Sequence, residues 1–182
     1  MEKVKEYTSM DWGKFFRKKG PSWRDKDYKF LISVFNMKGM KGSLLDVGCG
    51  LGDGILYLKS RNLNITKFSG VDFSVQAITT CNNNSLLQDC TFFTHNINNE
   101  IENKYDNIIS LQTIEHVPDP TKAVTNMLKA TKDLLVISAP YKNRRPDRNH
   151  LWSFDENDFA GLLDFYCLGQ NDKNIYWFKD LR

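Results

Sequence analysis

LLDVGCGLGDG, residues 44–54, runs from a bulky apolar stretch through Asp46 into glycines at 48, 50, 52 and 54. Leu44, Leu45 and Val47 suit a buried strand, and glycine at every second position afterwards leaves a bare backbone that a ligand can approach closely. A strand that ends in such a turn and runs on into a helix puts the turn at the carboxyl edge of an α/β sheet, where ligands bind. The dinucleotide pattern G-x-G-x-x-G would need glycine at 53, where Asp53 stands, and no G-K-[ST] follows, so loops built for pyrophosphate or triphosphate are disfavoured. Asp46 would repel phosphate and attract an ammonium or sulfonium, directly or through water.

Outward from this turn the chain alternates short apolar runs with helix-like segments. SLLDV (43–47), FSGVDF (68–73), TFFTH (91–95), YDNIISL (105–111) and DLLVISA (133–139) read as buried strands. DGILYLKSR, SVQAITTCNN capped by Ser74, and TKAVTNMLKA from Thr121 read as helices between them. Such alternation predicts a parallel sheet covered on both faces. Upstream, Tyr28, Leu31, Ile32 and Phe35 fall at helical spacing and predict an amphipathic helix. Downstream, Ser153 and Glu156 form a capping-box pair predicting a helix over DENDFAGLL, and FYCLGQNDKNIYWFKD predicts a terminal hairpin. Its last strand, NIYWF, is either an exposed dimer contact or an internal strand.

At 182 residues, 41% hydrophobic and 26% charged, the chain is expected to form one domain over 1–182, with 1–38 a helical cover and 39–182 the core. Its most apolar window, LLVISA, is far shorter than the roughly 20 residues of a membrane span. MEKVKEYTSM lacks the apolar run of a secretory leader, so a cytoplasmic protein without membrane contact is expected. Cys49, Cys81, Cys90 and Cys167 show no C-x-x-C spacing and are expected to be reduced thiols. A net charge of +3 is too mild to establish nucleic-acid binding, although YKNRRPDRNH (141–150) is locally basic.

Taken together, LLDVGCGLGDG and the later GVDFS (70–74) resemble the first two motifs of the class I S-adenosylmethionine-dependent methyltransferases. YDNIISLQTIEHVPDP (105–120) is similar to the fourth strand and following loop of the subgroup with many small-molecule and sugar enzymes. The resemblance covers about residues 40–165. It implies a Rossmann-like fold: a mostly parallel seven-stranded sheet, a C-terminal antiparallel hairpin, and helices on both faces. It also implies S-adenosylmethionine as cofactor, held by Asp46, Gly48, Cys49, Gly50, Asp72, Phe73, Asn96, Ile97, Leu111 and Gln112. Asp72 would accept both ribose hydroxyls, Phe73 would pack beside the adenine, and Asn96 stands where the family often has an acid at the adenine amino group. Each has a plainer alternative: Asp72 and Asp53 as carboxylates at helix starts, Cys49 as a small residue filling a crowded turn.

Methyl transfer is an in-line displacement whose rate owes much to alignment, helped by a base or metal where a hydroxyl must lose its proton. Glu115 and His116 follow the fourth strand at the glycine-loop edge and are the candidate catalytic residues; His150, in the basic loop, joins them only through the resemblance that follows. They also resemble part of a divalent-metal motif, E-x-x-E-H with a later histidine, found in small-RNA 2′-O-methyltransferases and ubiquinone-pathway O-methyltransferases. Gln112 replaces the first glutamate here. The plainer alternative is a helix-start pair for Glu115 and His116 and a loop or cap for His150. No [DN]-P-P-[FYW] follows the fourth strand and no Pro-Cys occurs, which disfavours methylation of base amino groups and of pyrimidine C5.

Trp12, Phe15, Phe16, Trp23, Tyr141 and Trp152 could stack on a planar group or a sugar, and Arg144, Arg145 and Arg148 could bind phosphate. The leading expectation is O-methylation of a small polar metabolite, phosphorylated or nucleotide-linked, such as a sugar nucleotide. A metal-assisted RNA 2′-O-methyltransferase and a non-catalytic S-adenosylmethionine-binding subunit are the alternatives. The oligomeric state is left open.

Overall fold

The structure is a computed structural model that describes residues 2–3, 25–61, 63–142, 150–169 and 173–182, with residues 2–3, 25 and 34–38 described by backbone alone. Its elements in chain order are β1 (Glu2–Lys3), α1 (Asp25–Lys38), β2 (Lys41–Val47), α2 (Asp53–Lys59), β3 (Asn64–Asp72), α3 (Val75–Asn82) and β4 (Thr91–Thr94). There follow β5 (Tyr105–Leu111), α4 (Pro120–Ala130), β6 (Thr131–Pro140), β7 (Trp152–Ser153), β8 (Phe165–Leu168) and β9 (Asn174–Asp180). Short 3₁₀ turns lie at Ser85–Leu87 and Ile114–His116.

Seven strands form one sheet in the order β4-β3-β2-β5-β6-β9-β8. The first five are parallel, and the final hairpin adds β9 antiparallel to β6 and β8 antiparallel to β9. From β2 the chain winds outward through β3 to β4, then returns to place β5 on β2's other side. That reversal makes the carboxyl ends of β2 and β5 the topological switch point, and the glycine turn leaves β2 there. The expected seven-stranded sheet with its C-terminal antiparallel hairpin is the architecture found.

Neighbouring strand residues serve opposite faces. Leu44, Ile109, Val136 and Phe178 pack with Tyr28 and Leu31 of α1, Ile55 and Leu58 of α2, and Ile78 of α3. Leu45, Ile108, Leu135, Ile137 and Trp177 pack with Ala123, Val124 and Met127 of α4 and with Phe154, Phe159 and Leu163. Burial on both faces is why these strands read as continuous apolar runs rather than alternating ones. Helix starts follow the local chemistry: the Ser74 hydroxyl accepts from Ala77 N at 3.2 Å, and Asp119 accepts from Lys122 N ahead of Pro120.

One expectation changes, and one open alternative is resolved. No helix forms over DENDFAGLL; residues 155–163 make turns, with Phe159 at φ 64° and Gly161 at φ 82°. Asp155 N donates to Asp158 Oδ2 (2.7 Å) and Asn157 N to Asp155 Oδ1 (2.8 Å), local bonds that compete with a helical ladder. Glu156, instead of closing a capping box, takes the Tyr141 hydroxyl (2.7 Å) and Lys142 Nζ (3.0 Å). The turn still buries Phe154 and Phe159 around Trp177. The last strand is internal: β9 lies between β6 and β8, and Ile175, Tyr176, Trp177 and Phe178 are buried.

Candidate active site

The glycine turn is tied to the end of β3. Gly48 N and Cys49 N both donate to Val71 O, at 2.8 and 3.0 Å. Gly50 N then donates to Asp72 Oδ2 (3.0 Å), while Ser74 N donates to Asp72 Oδ1 (2.8 Å). One carboxylate thus braces the turn after β2 against the start of α3. Gly48 cannot be another residue without strain. Its φ is 79°, and a Cβ there would lie 2.2 Å from Thr113 Oγ1.

In front of the turn lies a cavity of about 220 Å³. Of the sequence-selected residues, Gly48, Asp72, Phe73, Asn96, Ile97, Gln112 and His116 line it. Phe73 is 59% exposed there, an unusual position for a large apolar ring and a ready platform for a planar ligand. Asn96 Oδ1 accepts from Asn98 N (3.0 Å). Val47, Val71, His95, Thr113, Val117 and Pro118 also line the cavity and were not singled out from sequence. The signal for Val47 and Val71 was their place at the ends of adjacent parallel strands.

Three selected residues sit behind the cavity wall. Asp46 is buried and accepts from the Tyr28 hydroxyl at 2.8 Å. Leu111 is fully buried in the core under α1–α3. Cys49 is buried against Cys81 of α3, and its thiol is pushed well above its ordinary range, first by the hydrogen bond with Cys81 and then by burial. Such a thiol packs rather than reacts.

The second half of the site comes from the chain after β5. Gln112 adopts φ 52°, a left-handed conformation uncommon for its residue type, and its backbone N and Nε2 both donate to Ser138, to the carbonyl at 3.0 Å and the hydroxyl at 3.2 Å. That reversal sends the chain into the turn bearing Glu115 and His116. From the other direction, Leu151 N donates to Glu115 O (2.7 Å) and Trp152 Nε1 to Val117 O (2.8 Å). These two bonds bring His150 beside His116, ring centroids 5.0 Å apart. Ligand atoms of Glu115, His116 and His150 all lie within 4.8 Å of one another. Residues separated by 34 positions in sequence are thus one cluster at the cavity's lip, where His116 belongs to both.

The donor set, two imidazoles and one carboxylate, has the composition of a three-ligand divalent-metal site that keeps a position open for substrate oxygen. Such nitrogen-rich sets favour zinc, manganese or iron over magnesium. Gln112, at the first glutamate position of the metal motif, is turned to Ser138 instead. The buried Glu115 carboxylate lies 3.7 Å from His116 Nε2, an ion pair only when that imidazole is protonated. Tyr141 and Trp152 spend their polar atoms on Glu156 and Val117. Trp12, Phe15, Phe16, Trp23, Arg144, Arg145 and Arg148 lie outside the described residues. Among the described residues, no helix is long and apolar enough to cross a membrane.

The profile of a family described as "Methyltransferase domain" matches residues 38–176. Two curated relatives, the tRNA N(3)-cytidine methyltransferases METTL6 of Mus musculus and Rattus norvegicus, are each 24% identical over 98% of this chain. The chain spans just under two thirds of their length, 64% and 63%. An S-adenosylmethionine-dependent methyltransferase from Clostridium acetobutylicum superimposes with a TM-score of 0.73 at 13% identity, over 93% of this chain and 98% of that one. The plantazolicin methyltransferase BpumL, in complex with SAH, gives 0.73 at 15% identity, over 94% and 89%. The methyltransferase domain of bacterial CtHen1 gives 0.68 at 14%, over 87% and 99%. These structural likenesses establish the fold.

Proposed function

The chain belongs to the methyltransferase-domain family, and from that membership we propose that it transfers the methyl group of S-adenosylmethionine to a hydroxyl oxygen of a small polar acceptor bearing phosphate, such as a sugar nucleotide. The observation that carries the oxygen chemistry is the cluster of Glu115, His116 and His150 at the lip of a cavity lined by Gly48, Asp72 and Phe73. In this reading Asp72 takes the ribose hydroxyls, Phe73 covers the adenine, and Asn96 and Ile97 close its far edge. The acceptor oxygen attacks the methyl carbon, the carbon–sulfur bond breaks with its electrons passing to sulfur, and neutral S-adenosylhomocysteine leaves. His116 receives the hydroxyl proton, with Glu115 stabilising the imidazolium. The same three side chains would hold a divalent ion if one binds, which would lower the acceptor hydroxyl's pKa.

A second reading, RNA as acceptor, is favoured by one observation: the two curated relatives that align over 98% of this chain are named for a tRNA cytidine. The basic run at 141–150 suits phosphate in either acceptor. Methyl-labelled S-adenosylmethionine offered with sugar nucleotides and with unmodified tRNA, each with and without Mn²⁺ and with a chelator, separates the readings. Label in sugar nucleotides supports the first, and label in tRNA replaces it with the second. Cofactor binding without label in either would leave a binding subunit.

A further inference from the structure

Asp27 and Tyr28 are consecutive residues of α1, and both are buried. The Asp27 carboxylate accepts from Asn174 Nδ2 (2.8 Å) and from the Tyr176 hydroxyl, both on β9. The Tyr28 hydroxyl donates to Asp46 Oδ2 (2.8 Å), eighteen positions along the chain at the end of β2. One turn of α1 is therefore fastened to the sheet at two points. Tyr28 is further confined by its neighbours: its phenol lies so close over Gly54 of α2 that a Cβ there would fall 2.0 Å from the hydroxyl oxygen, and the Tyr57 ring meets it edge-on. Asp46 itself is only 1% exposed. A carboxylate that deep is costly to keep ionised unless donors compensate for its lost hydration.

We propose that Tyr28 is a positioning residue for the methyl donor, acting through Asp46. The inference rests on the reading of the glycine turn as an S-adenosylmethionine site. Asp46 stands two residues before Gly48, and from behind the cavity wall its negative charge acts on the cationic amino-acid end of that donor through the field or a bridging water rather than by direct contact. The Tyr28 hydroxyl favours the ionised carboxylate and holds it in one rotamer, while Asp27, clamped to β9, keeps α1 from carrying Tyr28 away.

Tyr28→Phe keeps the ring over Gly54 and removes only the donor. It should weaken S-adenosylhomocysteine binding and raise the KM for S-adenosylmethionine by about tenfold, with kcat and acceptor KM changed by less than about twofold. Asp46→Asn should weaken the donor site as well, and adding Tyr28→Phe to it should cost little more, because the phenol acts through the charge. A purely structural role would instead lower thermal stability and spread the loss over kcat and acceptor KM. Normal wild-type binding with an unchanged Tyr28→Phe variant, or additive losses in the double variant, overturns the inference alone. Absence of wild-type binding overturns the donor reading, and this inference with it.

Discussion

Replacing Gly48 by alanine probes the turn on which the site depends. The backbone there has φ 79°, and an L-residue in that left-handed region costs about 1–2 kcal/mol. The new Cβ would lie 2.2 Å from Thr113 Oγ1, 2.6 Å from its Cγ2 and 2.9 Å from its Cβ, so Thr113 must move. Moving it disturbs the hydroxyl's bonds to Leu111 O (3.2 Å) and Val47 O (3.4 Å), and overpacking of this kind costs about a further 1–3 kcal/mol. Gly48→Ala should therefore lose about 2–5 kcal/mol in urea unfolding. Thr113→Ala removes two of the three close atoms but leaves the φ penalty. The double variant should be about 1–2 kcal/mol more stable than the sum of the single losses. Additive losses, or a Gly48→Ala variant within about 0.5 kcal/mol of wild type, would refute the packing account of this turn.

His116→Ala should lower kcat by about a hundredfold or more while S-adenosylhomocysteine affinity falls far less, measured by steady-state kinetics beside calorimetry. Trp152→Phe removes the bond to Val117 O that draws His150 toward His116; kcat should fall by about three- to tenfold and stability by about 1 kcal/mol, read by kinetics and urea unfolding. Near the amino end of the central strand β5, the Asp106 carboxyl is lowered to about 2, first by the Ser43 backbone N–H and then by the Ser43 hydroxyl. A depressed carboxyl contributes stability that is present above its unfolded-chain value and lost as pH falls through the folded one. Asp106→Asn should thus cost about 1–2 kcal/mol at neutral pH, with the gap from wild type closing between about pH 4 and pH 2 in a denaturation series.

The sheet was legible because its strands are buried on both faces and therefore announce themselves as apolar runs. The strand β3 starts earlier than its run suggested: exposed Asn64, Thr66 and Lys67 conceal its first half, which pairing with β2 supplies. The helix read from Ser153 and Glu156 failed because both residues had partners elsewhere, Ser153 in the β1–β7 ribbon and Glu156 at Tyr141 and Lys142. Helical spacing placed Tyr28 on a buried face. It could not show that the hydroxyl meets Asp46, a contact made across two elements. Likewise the glycine turn and Asp72 stood out as motifs, whereas Thr113 matters for the space it occupies, which only the folded chain displays. His150 was selected by resemblance, and its juxtaposition to His116 depends on two backbone-directed bonds from Leu151 and Trp152.

The most direct test of the central claim is calorimetric titration of S-adenosylhomocysteine into the wild-type protein and into Asp72→Ala. Asp72 braces Gly50 and Ser74 and is the assigned ribose acceptor, so wild type should bind and the variant should bind about a hundredfold more weakly or not at all. No binding by the wild-type protein, or equal binding by the variant, would contradict the assignment of this cavity to the methyl donor.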